Sequence, residues 1–205
     1  MKFLKFSILL IVLFLSCQIE KETDPILEQT SIEKIFQKNE TFFNNLNEIR
    51  SMKNKKEMSS KLKITLDNYD GKETNLKLKK ESLNEIQEEV LKQYFVKLKT
   101  QDNKVEFSNT YIQQIQNKNI EQSDKLFCIN AIDFHKKLLI YVNYEDNNNQ
   151  AREWEDCAHR GCMNCCMYRK TQDLSESNWV DKALFLVSAA QTTTKWFGSC
   201  AWDCI

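Results

Sequence analysis

Three glycines (Gly71, Gly161 and Gly198) and one proline (Pro25) are all that this chain of 205 residues contains. That scarcity of backbone breakers constrains the fold more than any other feature. Sandwiches and barrels of many short strands need turn residues every few positions, whereas long helices need them only at their ends. It also removes functional classes. No GxGxxG, GxxxxGK[ST] or GxSxG can be written with these glycines, so dinucleotide crevices, phosphate loops and nucleophile elbows lack their turns. The expected class is mainly α: a helical domain with a possible small β-hairpin, and a C-terminal third forming a disulfide-stapled helical hairpin.

Apolar spacing places the helices. Thr30-Ser31-Ile32-Glu33 has the spacing of a capping box, and Ile32, Ile35, Phe42, Leu46 and Ile49 follow at helical intervals, which predicts a helix over 31–53. Ser82-Leu83-Asn84-Glu85 is a second such box, before a stripe of Leu83, Ile86, Val90, Tyr94 and Leu98 that runs to Lys99. A shorter helix is expected over 108–119, with Tyr111, Ile112 and Ile115 on one side. Phe127, Ala131, Phe134, Leu138 and Tyr141 mark another over 123–145, although its β-branched tail LLIYV also suits a strand. Residues 150–170 carry the cysteine cluster, Cys157, Cys162, Cys165 and Cys166, on a further helix. Ser175 or Ser177 then caps a last one over 178–196, with Gly198 as a left-handed stop.

Between the first two helices, Leu62, Ile64 and Leu66 alternate with polar residues, as do Leu76 and Leu78, around Asp70-Gly71. That pattern predicts a hairpin. It does not predict a calcium loop. Placing Gly71 at the loop glycine puts Leu66 and Lys77 at the first and last ligand positions, and neither binds calcium.

Residues 1–17 read MKFLKFSILLIVLFLSC. Lys2 and Lys5 precede an apolar run from Phe6 to Leu15, interrupted by Ser7, that is shorter than the ~20 residues of a membrane-spanning helix. Its end, Phe14-Leu15-Ser16-Cys17, resembles the lipobox of bacterial lipoproteins, with Phe14 and Leu15 departing from the commonest form of that motif. The resemblance covers these seventeen residues only. It implies that the peptide over 1–16 is removed and that Cys17 carries acyl chains such as palmitate, the membrane being a partner through that lipid. Gln18, next to Cys17, resembles the residue of lipoproteins sent to the outer rather than the inner membrane. Residues 17–29, polar and acidic with Pro25 inside, then read as a lipidated tether. The helical domain occupies 30–205, with its cysteine-rich helical part at 122–205.

Export makes disulfides the default use of the remaining cysteines: 128, 157, 162, 165, 166, 200 and 204. Residues 162, 165 and 166 share one helical face. If the helices flanking the polar run at 146–149 are antiparallel, Cys128 lies level with Cys166 or Cys165 and pairs with one of them. Cys200 and Cys204 then fold back toward Cys157 and Cys162. An alternative is a structural zinc on His159, Cys162 and Cys166, spaced i, i+3 and i+7 on one face. Cys162-Met-Asn-Cys165 has redox spacing but no surrounding βαβ unit. A c-type haem would need a histidine where Cys166 stands.

The remaining signals point away from catalysis. The two histidines, His135 and His159, lack a triad pattern, and a lone helical histidine such as His135 reads as a boundary residue. Twenty-nine basic residues balance 29 acidic ones, so no overall field favours nucleic acid. From Arg50 to Lys80, ten Lys or Arg face four acids, a run that reads first as a solvated face. The four tryptophans (Trp154, Trp179, Trp196 and Trp202) all lie in the C-terminal third, where they pack around the cysteines or form a binding patch. The expectation is an exported, lipid-anchored, non-enzymatic protein that binds a protein or envelope partner or builds structure, with no cofactor; the alternatives are a zinc-binding lipoprotein and an envelope enzyme of unrecognised type.

Overall fold

One helix organises the molecule because it has almost no polar side to turn outward. In the computed structural model, which describes residues 25–70, 82–142 and 161–204, thirteen residues of Gln122–Tyr141 are buried, from Asp124 to Tyr141. This helix, α5, is the fifth of eight among the described residues. Before it come α1 (Pro25–Arg50), α2 (Lys55–Tyr69), α3 (Glu85–Leu98) and α4 (Lys104–Gln116). After it come α6 (Cys162–Glu176), α7 (Trp179–Val187) and α8 (Ala189–Cys204). There is no strand among the described residues.

Around α5, α1 and α4 make the most extensive contacts, with α3 and α8 completing the wrap. The aromatic centre lies where α1, α2 and α5 meet. Phe134 sits 5.3 Å from Phe42 and 5.0 Å from Phe43, ring centre to ring centre, and Tyr69 packs edge-on to Phe42 at 5.1 Å. Such offset and edge arrangements add to the burial of area.

Asparagine does most of the capping. Asn54, Asn84, Asn103 and Asn178 each accept a hydrogen bond from a backbone N–H in the first turn of α2, α3, α4 and α7. This corrects three expectations. Thr30-Ser31 lies inside α1, which begins at Pro25, a residue that suits a first turn because it lacks the N–H that would be unpaired there. Residues 25–29 of the expected tether are therefore helical, and 17–24 lie outside the described residues. The box on α3 is Asn84 with Gln87, two residues past the one centred on Ser82. Ser177 ends α6, and Asn178 rather than Ser175 or Ser177 starts the next helix.

The hairpin is also corrected as far as it can be followed. Its first arm is helical: α2 buries Met58, Leu62 and Thr65, spaced by four and three, and leaves Ile64 54% exposed. The alternation of Leu62, Ile64 and Leu66 loses to the Asn54 cap and to this helical stripe. The second arm, 71–81, lies outside the described residues. LLIYV is helical through Tyr141, and its strand alternative fails because Leu138, Leu139 and Tyr141 pack into the core as turns of α5.

Candidate functional site

The cysteine cluster becomes a covalent ladder. Gly161, at φ 78°, brings the chain into α6 through a conformation that suits a residue without Cβ. One turn of α6 then presents Cys162 and Cys166, and one turn of α8 presents Cys200 and Cys204. The bridges are Cys162–Cys204 and Cys166–Cys200, each with Cα atoms 5.6 Å apart. A four-residue step forward on α6 matches a four-residue step backward on α8, so the two helices run antiparallel in register. The C-terminal third is thus a disulfide-stapled helical hairpin, as the cysteine spacing predicts.

The connectivity differs from the expectation in two respects. Cys128 is not in a disulfide; it is a thiol with 0% exposure on α5. α6 packs against α8 and α7 rather than along α5, so the symmetry about residue 147 that would pair Cys128 with Cys166 or Cys165 does not hold. Cys204 and Cys200 fold back, but onto Cys162 and Cys166. They reach this position because α8 continues helically through Gly198 instead of stopping there. Cys165 is disulfide-bonded as well. Cys17, Cys157, His159 and Trp154 lie outside the described residues.

These bonds bear on the zinc alternative. Cys162 and Cys166 are disulfide sulfurs, so neither offers the thiolate that zinc requires. Among the described residues no group of three or more His, Cys, Asp or Glu is placed to hold a metal ion.

A groove of about 550 Å³ runs beside the ladder, and its lining includes Arg169, Lys170, Asp173 and Asp203. The charges are balanced, so the groove has no marked polarity. Polar contacts join the hairpin to the rest of the molecule, beside the packing of α8 on α2. Arg50 donates to Asn164 Oδ1 at 2.7 Å, and Lys55 donates to the Trp202 carbonyl at 3.2 Å with its ammonium 4.4 Å from the centre of the Trp202 ring. Trp202 itself is 68% exposed. The other tryptophans described are packed: Trp196 stacks on Phe185 at 5.5 Å, and Trp179 donates to Glu88 at 2.9 Å.

Two polar clusters cross the core, and sequence spacing announces neither. In one, Asn39 donates to Asp133 Oδ2 at 2.9 Å and accepts from the Tyr69 hydroxyl at 2.8 Å, while Lys136 pairs with Asp133 Oδ1 at 2.6 Å. A carboxylate with 0% exposure thereby gains both a hydrogen bond and a counter-charge. In the other, the Tyr94 hydroxyl lies 2.8 Å from Ser108 Oγ and 3.0 Å from His135 Nδ1. His135 is 1% exposed, a core residue rather than a boundary one. Burial lowers its pKa to about 3, with the charge of Lys182 adding to the effect. The neutral ring is a hydrogen-bonding group at ordinary pH.

No match to the chain is found among protein-family models, curated proteins or solved structures. Among the described residues no helix is long and apolar enough to cross a membrane.

Proposed function

We propose that this chain is an exported lipoprotein, held at the cell envelope by acyl chains on Cys17, whose helical domain binds or builds rather than catalyses. The observation that carries the reading is the nested pair Cys162–Cys204 and Cys166–Cys200. Bridges of this kind persist in oxidising compartments and are rare in the cytosol. The lipobox-like end of the leader, Phe14-Leu15-Ser16-Cys17, supplies the means of export and attachment. Two or more acyl chains hold a protein at a bilayer, whereas one alone gives marginal residence. Gln18 favours the outer membrane as the destination.

The test is incorporation of labelled palmitate into the full chain expressed in a bacterium with two membranes, followed by separation of those membranes. The expected result is label in the wild type, none in Cys17→Ser, and recovery with the outer membrane. Unlabelled protein in the cytosol that retains Met1 would overturn the proposal.

A further inference from the structure

The two rungs of the ladder differ in what surrounds their sulfurs. Cys162 is exposed and Cys204 half-buried, and both line the groove of about 550 Å³ beside the hairpin. In the inner rung Cys166 lines the same groove, but Cys200 has 0% exposure. Thiol–disulfide exchange needs an approach to one sulfur and the departure of the other as a thiolate. A reagent that reaches Cys166 from the groove would have to expel Cys200 as an anion inside the apolar core, which burial opposes. The inner rung is protected by its leaving group.

The outer rung has a favoured direction of opening. Cys162 is the first residue of α6, and Cys204 is the last of α8. Gly161, at the N-cap, has no side chain to cap the first-turn N–H groups of α6, and no acidic residue stands in that turn. Those N–H groups and the positive end of the helix dipole favour a thiolate at Cys162. The unpaired carbonyls at the end of α8, with Asp203 beside them, disfavour one at Cys204. Other charged groups face the rung from each packed element. Arg50 of α1 donates to Asn164 in the first turn of α6, Lys55 of α2 donates to the Trp202 carbonyl, and Arg169, Lys170 and Asp173 of α6 line the groove. Arg50 stands beside the first turn, so its charge reinforces the preference for Cys162.

We propose that Cys162–Cys204 is an exchange site for a dithiol reductant, opened by attack on Cys204, while Cys166–Cys200 keeps the hairpin closed. In the first step a thiolate of the reductant bonds to Cys204 Sγ, the bond from Cys204 to Cys162 breaks, and Cys162 leaves as a thiolate. The second thiolate of the reductant then attacks the reductant sulfur in that mixed disulfide, closes the reductant's own disulfide and frees Cys204. Two electrons and two protons pass to the rung, giving two thiols, and the dithiol is oxidised. The site goes beyond the proposed function and needs the oxidised ladder, not the lipid on Cys17. Its failure therefore leaves palmitate incorporation untouched, and the reverse holds too.

Dithiothreitol treatment of the full chain, folded in phospholipid nanodiscs at pH 7, tests it through acid quenching, alkylation and peptide mapping. Cys162 and Cys204 are expected to appear as thiols at least about tenfold faster than Cys166 and Cys200, and in denaturing urea the two rungs are expected to open at similar rates. Limiting glutathione, a monothiol that cannot close a ring, traps the intermediate: its adduct is expected on Cys204, with Cys162 free. Asn164→Asp places a carboxylate in the first turn of α6 and keeps an acceptor for Arg50. It is expected to slow the outer rung about two- to threefold without lowering the denaturant midpoint, a response that exposure alone would not give. Simultaneous opening of both rungs in the folded chain, opening of the inner one first, a ladder that resists dithiothreitol until urea is added, an adduct on Cys162, or an Asn164→Asp rate at or above that of the wild type would each overturn the proposal.

Discussion

Nδ1 of His135 lies 3.0 Å from the hydroxyl of Tyr94, joining α5 to α3 across the core. The neutral ring that burial enforces has a cost in acid. The folded pKa is about 3 against an ordinary 6.5, lowered first by burial and then by Lys182. Between those values the unfolded chain takes up a proton at this ring and the folded chain does not. Stability therefore falls as pH drops from 6.5 toward 3, with a slope from this group approaching about 1.4 kcal/mol per pH unit. Urea unfolding at pH 7, 6 and 5 measures it, and a folded His135→Gln variant is expected to show a flatter dependence over that range.

The nested bridges predict a pattern of non-additive losses. Cys166–Cys200 spans 34 residues and lies inside Cys162–Cys204, which spans 42. With either bridge in place, the other closes only the short ring between the two rungs. On loop-closure entropy, replacing one pair by serine costs about 2.5 kcal/mol, while replacing both costs about 6. Denaturant midpoints of the two single-pair variants and the combined variant check this. A combined loss equal to that of one pair alone would refute it.

Mapping the sulfurs is expected to find one reduced thiol, Cys128, that reacts with alkylating reagents only after denaturation, since it is wholly buried on α5. Four other sulfurs form the two rungs, and Cys165 is itself disulfide-bonded. Peptide mapping without reduction reads both outcomes, and recovery of a Cys128 disulfide would contradict the structure.

The glycines predict opposite effects of one substitution. Gly161 has φ 78°, so Gly161→Ala is expected to destabilise by about 1 kcal/mol. Gly198 lies inside α8, where an added Cβ meets Leu62 Cδ1 at 3.9 Å, an ordinary contact. Gly198→Ala is expected to stabilise by about 0.5–1 kcal/mol through helix propensity. Thermal unfolding compares the two. Destabilisation by Gly198→Ala would restore the left-handed stop that the sequence suggests.

The buried carboxylate makes a further prediction. Asn39→Leu removes the amide that donates to Asp133 and accepts from Tyr69. A loss of about 2–4 kcal/mol is expected, since two buried polar groups lose a partner. Tyr69→Phe removes only one of those contacts and is expected to cost less than half as much.

Helical class and the stapled hairpin are legible in the chain because both follow from local rules. Few breakers favour helices, and cysteines four apart on each of two helices can meet as rungs. Phe127, Ala131, Phe134, Leu138 and Tyr141 mark α5 for the same reason: their spacing is that of a helix. Where two local signals compete, the stronger is decided by packing. Leu62 and Leu66 fit an alternating pattern as well as a helical one, and burial of Met58, Leu62 and Thr65 selects the helix. The pairing of Cys128 was out of reach, since it depends on which helix α6 meets. Tyr94, Ser108 and His135 come from three separate helices, so no spacing along the chain announces that they meet.

The way α5 is enclosed has an evolutionary consequence. A helix with one wet face can drift on that face without penalty, but here neighbours press from several sides and most positions from Asp124 to Tyr141 are committed. In any lineage that keeps this architecture, α5 should change most slowly, with Ile140, half open to water, among the few sites free to vary.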